Sequence, residues 1–325
     1  MQFIITIDTE GDNQWDHGRE LTVENIKFVP RFQKLCERYC IKPTYMVTSE
    51  VCEDPFAQEL FSDYLLSGRA EIGAHLHAWS TPPFLDRDGL RLNDYNHTFA
   101  HELSDLQLNE KLKVLTEQIE NSFGIRPLSF RSGRYGFNSS VAKALLTNNY
   151  LVDSSVTPYI DWSVHKGLPG GSGGPDFMDT TPMPFSYDFD NKSLLEIPIT
   201  ILPTRFPLNR SAILARYYFR NVGENIVIRA LRRLAFKHQP LWLRPNLWMS
   251  NNLFCDLIDE AERLRLPHLV MMFHSSELMP GCSIYWTNED AIEQLYDQLE
   301  GLFNILRDKS IESVTLTEAA QRFKR

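Results

Sequence analysis

Short apolar runs rich in β-branched residues alternate along this chain with longer segments whose apolar positions recur at helical spacing. The runs fall at 3–7, 44–47, 71–77, 128–130, 151–152, 194–199, 268–273 and 313–316. The helical segments fall at 24–39, 54–66, 104–123, 139–148, 251–264 and 288–307; Leu253, Leu257, Ala261 and Leu264 show the period clearly. Strand, helix, strand at this rhythm means repeated βαβ units around a mostly parallel sheet, open or closed into a barrel. A single α/β barrel commonly takes about 250 residues, so 325 residues accommodate one large domain with additions. No internal repeat or low-complexity tract interrupts the pattern.

Composition narrows the function. Hydrophobic residues make up 43%, as in an ordinary folded globule, and the net charge of −9 argues against a general nucleic-acid binder. No apolar run reaches the ~18 residues of a spanning helix. The opening MQFIITIDTEGD lacks the basic start and cleavage site of a signal peptide and reads as a buried first strand. Cys36, Cys40, Cys52, Cys255 and Cys282 form no paired framework; Cys36 and Cys40, four apart on a predicted helix, read as reduced, half-buried thiols. The expected location is the cytoplasm.

Two segments depart from the rhythm. Residues 167–174 (GLPGGSGG) hold five glycines and, with Pro175 after them, must be a loop; they lack the Lys-Ser/Thr of a phosphate loop and are expected to border a site. The second, an aromatic-rich insertion at about 205–250, carries nine basic residues between Arg205 and Arg244 against the single acid Glu224. Such a basic, aromatic stretch suits an anionic membrane surface or a phosphate-bearing substrate.

Four clusters stand at predicted strand ends, where parallel α/β folds place their chemistry. In TIDTEGD (6–12), Asp8 and Glu10 alternate on an extended chain and face the same way. Two carboxylates there repel unless one binds a cation or takes up a proton, while Asp12 suits a helix-capping turn. In EIGAHLHAW (71–79), His75 and His77 share a strand face at the spacing of a chelating pair. In FRSGRYGF (130–137), Arg131 is placed to pair with a catalytic carboxylate. In VMMFHSSELMPG (270–281), His274 follows an apolar strand directly, a position for proton transfer near neutral pH.

In this order the four clusters resemble the motifs of the polysaccharide deacetylase family, also called the NodB-homology or carbohydrate esterase family 4 fold. Its members carry T-F-D-D-G, an E-I-G histidine motif, an arginine loop and a late L-x-H strand. TIDTEGD, EIGAHLHAW, FRSGRYG and MMFHSSE look like these, closest to a divergent bacterial subgroup associated with surface-glycan assembly. The resemblance implies a distorted (β/α) barrel, here with an inserted basic helical segment, and metal-dependent removal of N-acetyl groups from amino sugars. Asp8-Thr9 stands where the family has Asp-Asp, so the ligand carboxylate falls to Glu10, with Asp12 the other choice. Trp79 stands where the family has its second histidine, which leaves that role to His77.

The expected site is therefore Asp8 as base, His274 as acid and Arg131 as the partner of Asp8. Glu10, His75 and His77 hold a divalent ion, zinc by expectation, and Trp79, Arg134 and Tyr135 meet the substrate. That substrate is an amino sugar or glycan, nucleotide- or lipid-linked, with no nucleic acid involved and with the stretch Arg205–Arg244 touching the inner membrane face. The competing readings are an amidohydrolase for a ureide or cyclic imide, and a decayed glycan-binding protein. Trp162, Trp242 and Tyr285 are further aromatics able to stack on a sugar ring.

Overall fold

The computed structural model describes residues 1–12, 21–84, 98–221, 227–230 and 235–323. Its centre is a parallel sheet built outward from β1 (Gln2–Thr9). On one side β1 pairs with β10 (His268–His274). On the other it pairs with β2 (Pro43–Val47), then β3 (Glu71–Leu76), β4 (Ser129–Ser132), β5 (Val152–Asp153) and β7 (Lys192–Glu196), all parallel. The edge strand β6 (Phe185–Phe189) joins β7 antiparallel. Beyond β7 the chain leaves β5 (Ile197 N to Asp153 O, 2.9 Å) and reaches β10 (Thr200 N to Val270 O, 3.0 Å), which curves the whole toward a barrel.

Helices cover the outside, and most begin at a cap the sequence announces. Asp54 caps α3 (Pro55–Leu66), which follows the short α2 (Ser49–Glu53). Ser104 and Gln107 form a capping box on α4 (Asp105–Phe123), and Asn138, Ser250 and Asn288 cap α5 (Ser139–Thr147), α7 (Asn251–Leu264) and α8 (Glu289–Asp308). The sheet is buried on both faces. Phe3, Ile5 and Ile7 pack outward with Phe32 of α1 (Val29–Arg38) and Leu299 of α8, while Ile4 packs inward with Met46, Val270 and Met272. The last helix, α9 (Leu316–Phe323), pushes Leu316, Ala319 and Ala320 into that inner cluster and forms its floor.

Four sequence expectations need correction. Residues 313–316 are not a strand: β11 is only Glu312–Ser313, and the Thr315–Glu318 capping pair (3.1 and 3.2 Å) turns the chain into α9. Residues 24–28 form a 3₁₀ turn, and the α-helix starts at Val29 with Pro30 in its first turn. Cys36 is buried on α1, but Cys40 lies past its end, exposed and at φ 55°, so the two share no face. Finally β6 was not anticipated, although Asp190 and Asn191, both at positive φ, make the two-residue turn of a hairpin. In the basic insertion, α6 (Ala212–Asn221) lies between β8 (Ile201–Leu202) and β9 (Leu241–Trp242), which pair antiparallel. Arg232 and Arg233 fall outside the described residues.

Candidate active site

Register decides which side chains meet at the carboxyl end of the sheet. Asp8 pairs with His274 across β1 and β10, and His75 with Arg131 across β3 and β4. Alternation then sets Glu10 beside Asp8, and His77 beside His75, just past their strands. Glu10 Oε2 lies 3.0 Å from His77 Nε2 and 3.6 Å from His75 Nε2, and the two imidazole nitrogens are 3.0 Å apart. All three residues are buried, and each offers a donor atom within 4.8 Å of the others.

Several contacts hold these ligands. His75 Nδ1 bonds the main-chain oxygen of Arg131 (3.0 Å), which makes Nδ1 the protonated nitrogen and leaves Nε2 with its lone pair inward. The His77 ring stacks on Trp79 at 4.4 Å. Gly133 lies over the same ring, where a Cβ would overlap His77 Cδ2, so only glycine lets the arginine loop pass here. Asn25 Nδ2 donates to Glu10 O (2.9 Å) and to Ser275 Oγ (3.0 Å), and Ser275 Oγ in turn accepts from Glu10 N (3.2 Å). Asp12 is elsewhere engaged: its carboxylate accepts from Thr22 Oγ1 (2.6 Å) and Glu24 N (2.8 Å) and caps the following turn. Among the described residues the carboxylate of the cluster is Glu10.

Asp8 sits beside the cluster without joining it, 3.9 Å from both His75 Nε2 and His274 Nε2. Arg131, wholly buried, donates to Asp8 Oδ1 (2.6 Å) and to Ser154 O (2.7 Å). Burial pushes the Asp8 carboxyl up, but the Arg131 charge, with His75 and His274, outweighs it and holds Asp8 below its ordinary range. Glu10 is likewise held low, burial being overcome by the neighbouring His75, His77 and His274.

His274 carries the opposite shift. Burial pulls its pKa down, yet Glu277, Glu10 and Asp8 together raise it above the ordinary value. Glu277 accepts from His274 Nδ1 (3.1 Å), His274 N (3.0 Å), Arg244 (2.7 Å) and Trp286 Nε1 (3.1 Å). Those donors, chiefly the Arg244 charge, overcome burial and hold its own pKa at about 2. Arg244 is therefore a half-buried part of the site and not of any basic outer face.

A pocket of about 400 Å³ opens above these groups, lined by Trp79, Tyr135, Trp162, Trp242 and Tyr285 among others. Tyr135 and Trp162 stack at 5.2 Å, and Trp242 meets both edge-on. Arg134, with its guanidinium 4.0 Å over Phe99, completes one rim. The glycine-rich loop, which follows the pocket-lining His165 but contributes no lining residue itself, is tied down: Glu102 accepts from Leu168 N and Gly173 N, both at 3.0 Å. All nine residues expected from sequence thus lie in or directly behind one pocket. Glu277, Arg244 and Glu102 were missed in these roles. Glu277 stands in the motif FHSSE, and its place three residues after His274 was a readable signal.

The fold is the NodB-type, barrel-like fold of polysaccharide deacetylases. The chain superposes on a Mycobacterium smegmatis protein assigned as a polysaccharide deacetylase with a TM-score of 0.51 at 13% identity, covering 97% of this chain and 93% of that one. A Puue allantoinase gives 0.52 at 14% identity over 98% and 88%. A 4-α-glucanotransferase from Thermococcus litoralis gives 0.52 at 12% identity, over 99% of this chain but 38% of that one. No protein-family profile and no curated protein sequence matches the chain.

Proposed function

We propose that this protein is a divalent-metal-dependent hydrolase that removes an N-acetyl group from an amino sugar, a nucleotide- or lipid-linked intermediate of bacterial surface-polysaccharide synthesis. The observation that carries the reading is the meeting of Glu10, His75 and His77 beside an arginine-held Asp8 and a carboxylate-held His274. The donor set fits a cation: two imidazole nitrogens and a carboxylate oxygen crowd together in a buried place where lone pairs otherwise face one another. A divalent ion held there, zinc by the nature of the donors, supplies Lewis-acid polarisation of the acyl carbonyl and acidifies water.

The chain's own groups do the rest. Asp8, kept anionic and fixed by Arg131, takes the proton of the attacking water. A main-chain N–H of the arginine loop, where Arg134 and Tyr135 both adopt positive φ, donates to the oxyanion as it forms. His274, whose pKa the neighbouring Glu277 carboxylate raises and whose ring it orients, gives its proton to the departing amine. The aromatic walls hold the sugar ring by its apolar face. The fold also carries proteins named for other chemistry, so the walls and donors, not the scaffold, support a sugar substrate. The five cysteines, none of them paired, suit action in a reducing, cytoplasmic compartment.

The test combines elemental analysis with acetate release from a panel of N-acetylated sugars and non-sugar amides. About one cation per chain is expected, with acetate released from sugars and Asp8→Asn slowing turnover at least ~10²-fold while metal content stays unchanged. Loss of metal in His75→Ala without loss of acetate release overturns the metal dependence. Cleavage of the non-sugar amides alone overturns the substrate.

A further inference from the structure

The excursion between β8 and β9 buries one side of itself and leaves the other bare. Inside, Ala215, Tyr218 and Phe219 of α6 pack with Leu208, Ile228, Phe236 and Tyr159 into a small core of their own. Outside, Ile213 is 81% and Tyr217 58% exposed, with Leu214 beside them and Phe206 at 78% in the preceding turn. Positions 213, 214 and 217 are neighbours on a helix surface, so these side chains form one patch. A helix apolar on both faces is not built to end in water.

The cations around the patch divide into two groups. Arg216 and Arg220 are engaged with Asp176 and Asp179 and fasten α6 to the body of the protein. Arg205, Arg210, Arg229 and Lys237 are exposed, and among the described residues no carboxylate pairs with them. Exposed, unpaired cations carried on the same excursion as exposed aromatic and aliphatic groups, on a chain whose net charge is −9, are complementary to an anionic, apolar-cored surface.

We propose that this face docks on an anionic lipid bilayer, Phe206, Ile213, Leu214 and Tyr217 entering the headgroup–acyl boundary and the four cations meeting lipid phosphates. The contact bears on the pocket through the β8–β9 pair, because the excursion leaves and re-enters there and Trp242 of β9 lines the pocket wall. The proposal stands whatever the pocket hydrolyses, since the docking face contains none of the site residues.

Vesicle sedimentation of the full chain tests it, using phosphatidylcholine vesicles with and without phosphatidylglycerol. Binding is expected only with the anionic lipid and is expected to weaken as salt is raised. Neutralising Arg205 and Arg210 to Gln should weaken it roughly thirtyfold. Ile213→Asp with Tyr217→Asp should abolish it while circular dichroism and metal content stay as in the parent. Equal binding to neutral vesicles, or binding untouched by the Asp pair, overturns the proposal. So does a concentration-dependent dimer that the Asp pair abolishes, with no vesicle binding, because a second copy then covers the face.

Discussion

Glu277 shows how much one carboxylate sets at this site. It gathers two donors from His274, one from Arg244 and one from Trp286, so it both orients the imidazole and raises its pKa. A base whose pKa is raised keeps its proton to higher pH, so the acid role of His274 is lost only as pH climbs above its ordinary value of about 6.5. Glu277→Gln removes the charge and leaves burial to pull the pKa down. The alkaline limb of the kcat–pH profile should then move to lower pH, with KM little changed, and an unmoved limb denies Glu277 this role. At this scale the sequence was legible wherever i, i+2 alternation decides which side chains share a face, as for Asp8, Glu10, His75 and His77. Arg244 was not legible, because its partner Glu277 lies 33 residues further along the chain and no local pattern encodes their meeting.

Among the elements, the arginine loop and the glycine-rich loop illustrate opposite uses of glycine. In the arginine loop, Gly133 allows close passage over His77. In the glycine-rich loop, Gly167 and Gly171 leave no room for a Cβ because the Glu102 carboxylate occupies it, and that carboxylate collects Phe99 N as well as Leu168 N and Gly173 N. Charge-assisted bonds of this kind are the stronger ones. Glu102→Gln should therefore free the loop: protease cuts appear within 167–174, and KM rises about fivefold or more, the scale of one lost hydrogen bond, while kcat changes less. An uncut loop with parental KM counts against the clasp. The loop itself was plain in the sequence, but its anchor was not, since Glu102 lies far away along the chain. The final helix, by contrast, was readable and misread: Thr315 and Glu318 spell a capping box that the short apolar run at 313–316 obscured.

For the molecule as a whole, stability bears the mark of a second acidic pair outside the pocket. Asp153 and Glu196 are fully buried on neighbouring strands, and burial followed by mutual repulsion pushes Glu196 well up. Among the described residues Glu196 Oε2 meets no donor, which fits a proton kept on Glu196 and offered to Asp153. A carboxyl with a raised folded pKa contributes stability below its unfolded value of about 4.5 and loses it as pH rises through the folded value. Glu196→Gln should consequently match the parent in denaturant midpoint at pH 5 and exceed it at pH 9, and a lower midpoint at pH 9 refutes the shared proton. The strand–helix rhythm made the architecture legible, because parallel strands buried on both faces must read as apolar runs. What the rhythm left out, the β6 edge, the α9 floor and the curvature through Thr200, all depends on contacts distant in sequence.

The pairing of β1 with β10 has a consequence for biosynthesis. β1 finds one of its two central neighbours only when residues 268–274 emerge from the ribosome, more than 250 residues after β1 itself. At about 5–20 residues per second that interval is roughly 10 to 50 s. Throughout it the edge of β1 that will face His274 stays open, so the proposed site, which needs Asp8 and His274 side by side, cannot assemble until β10 arrives.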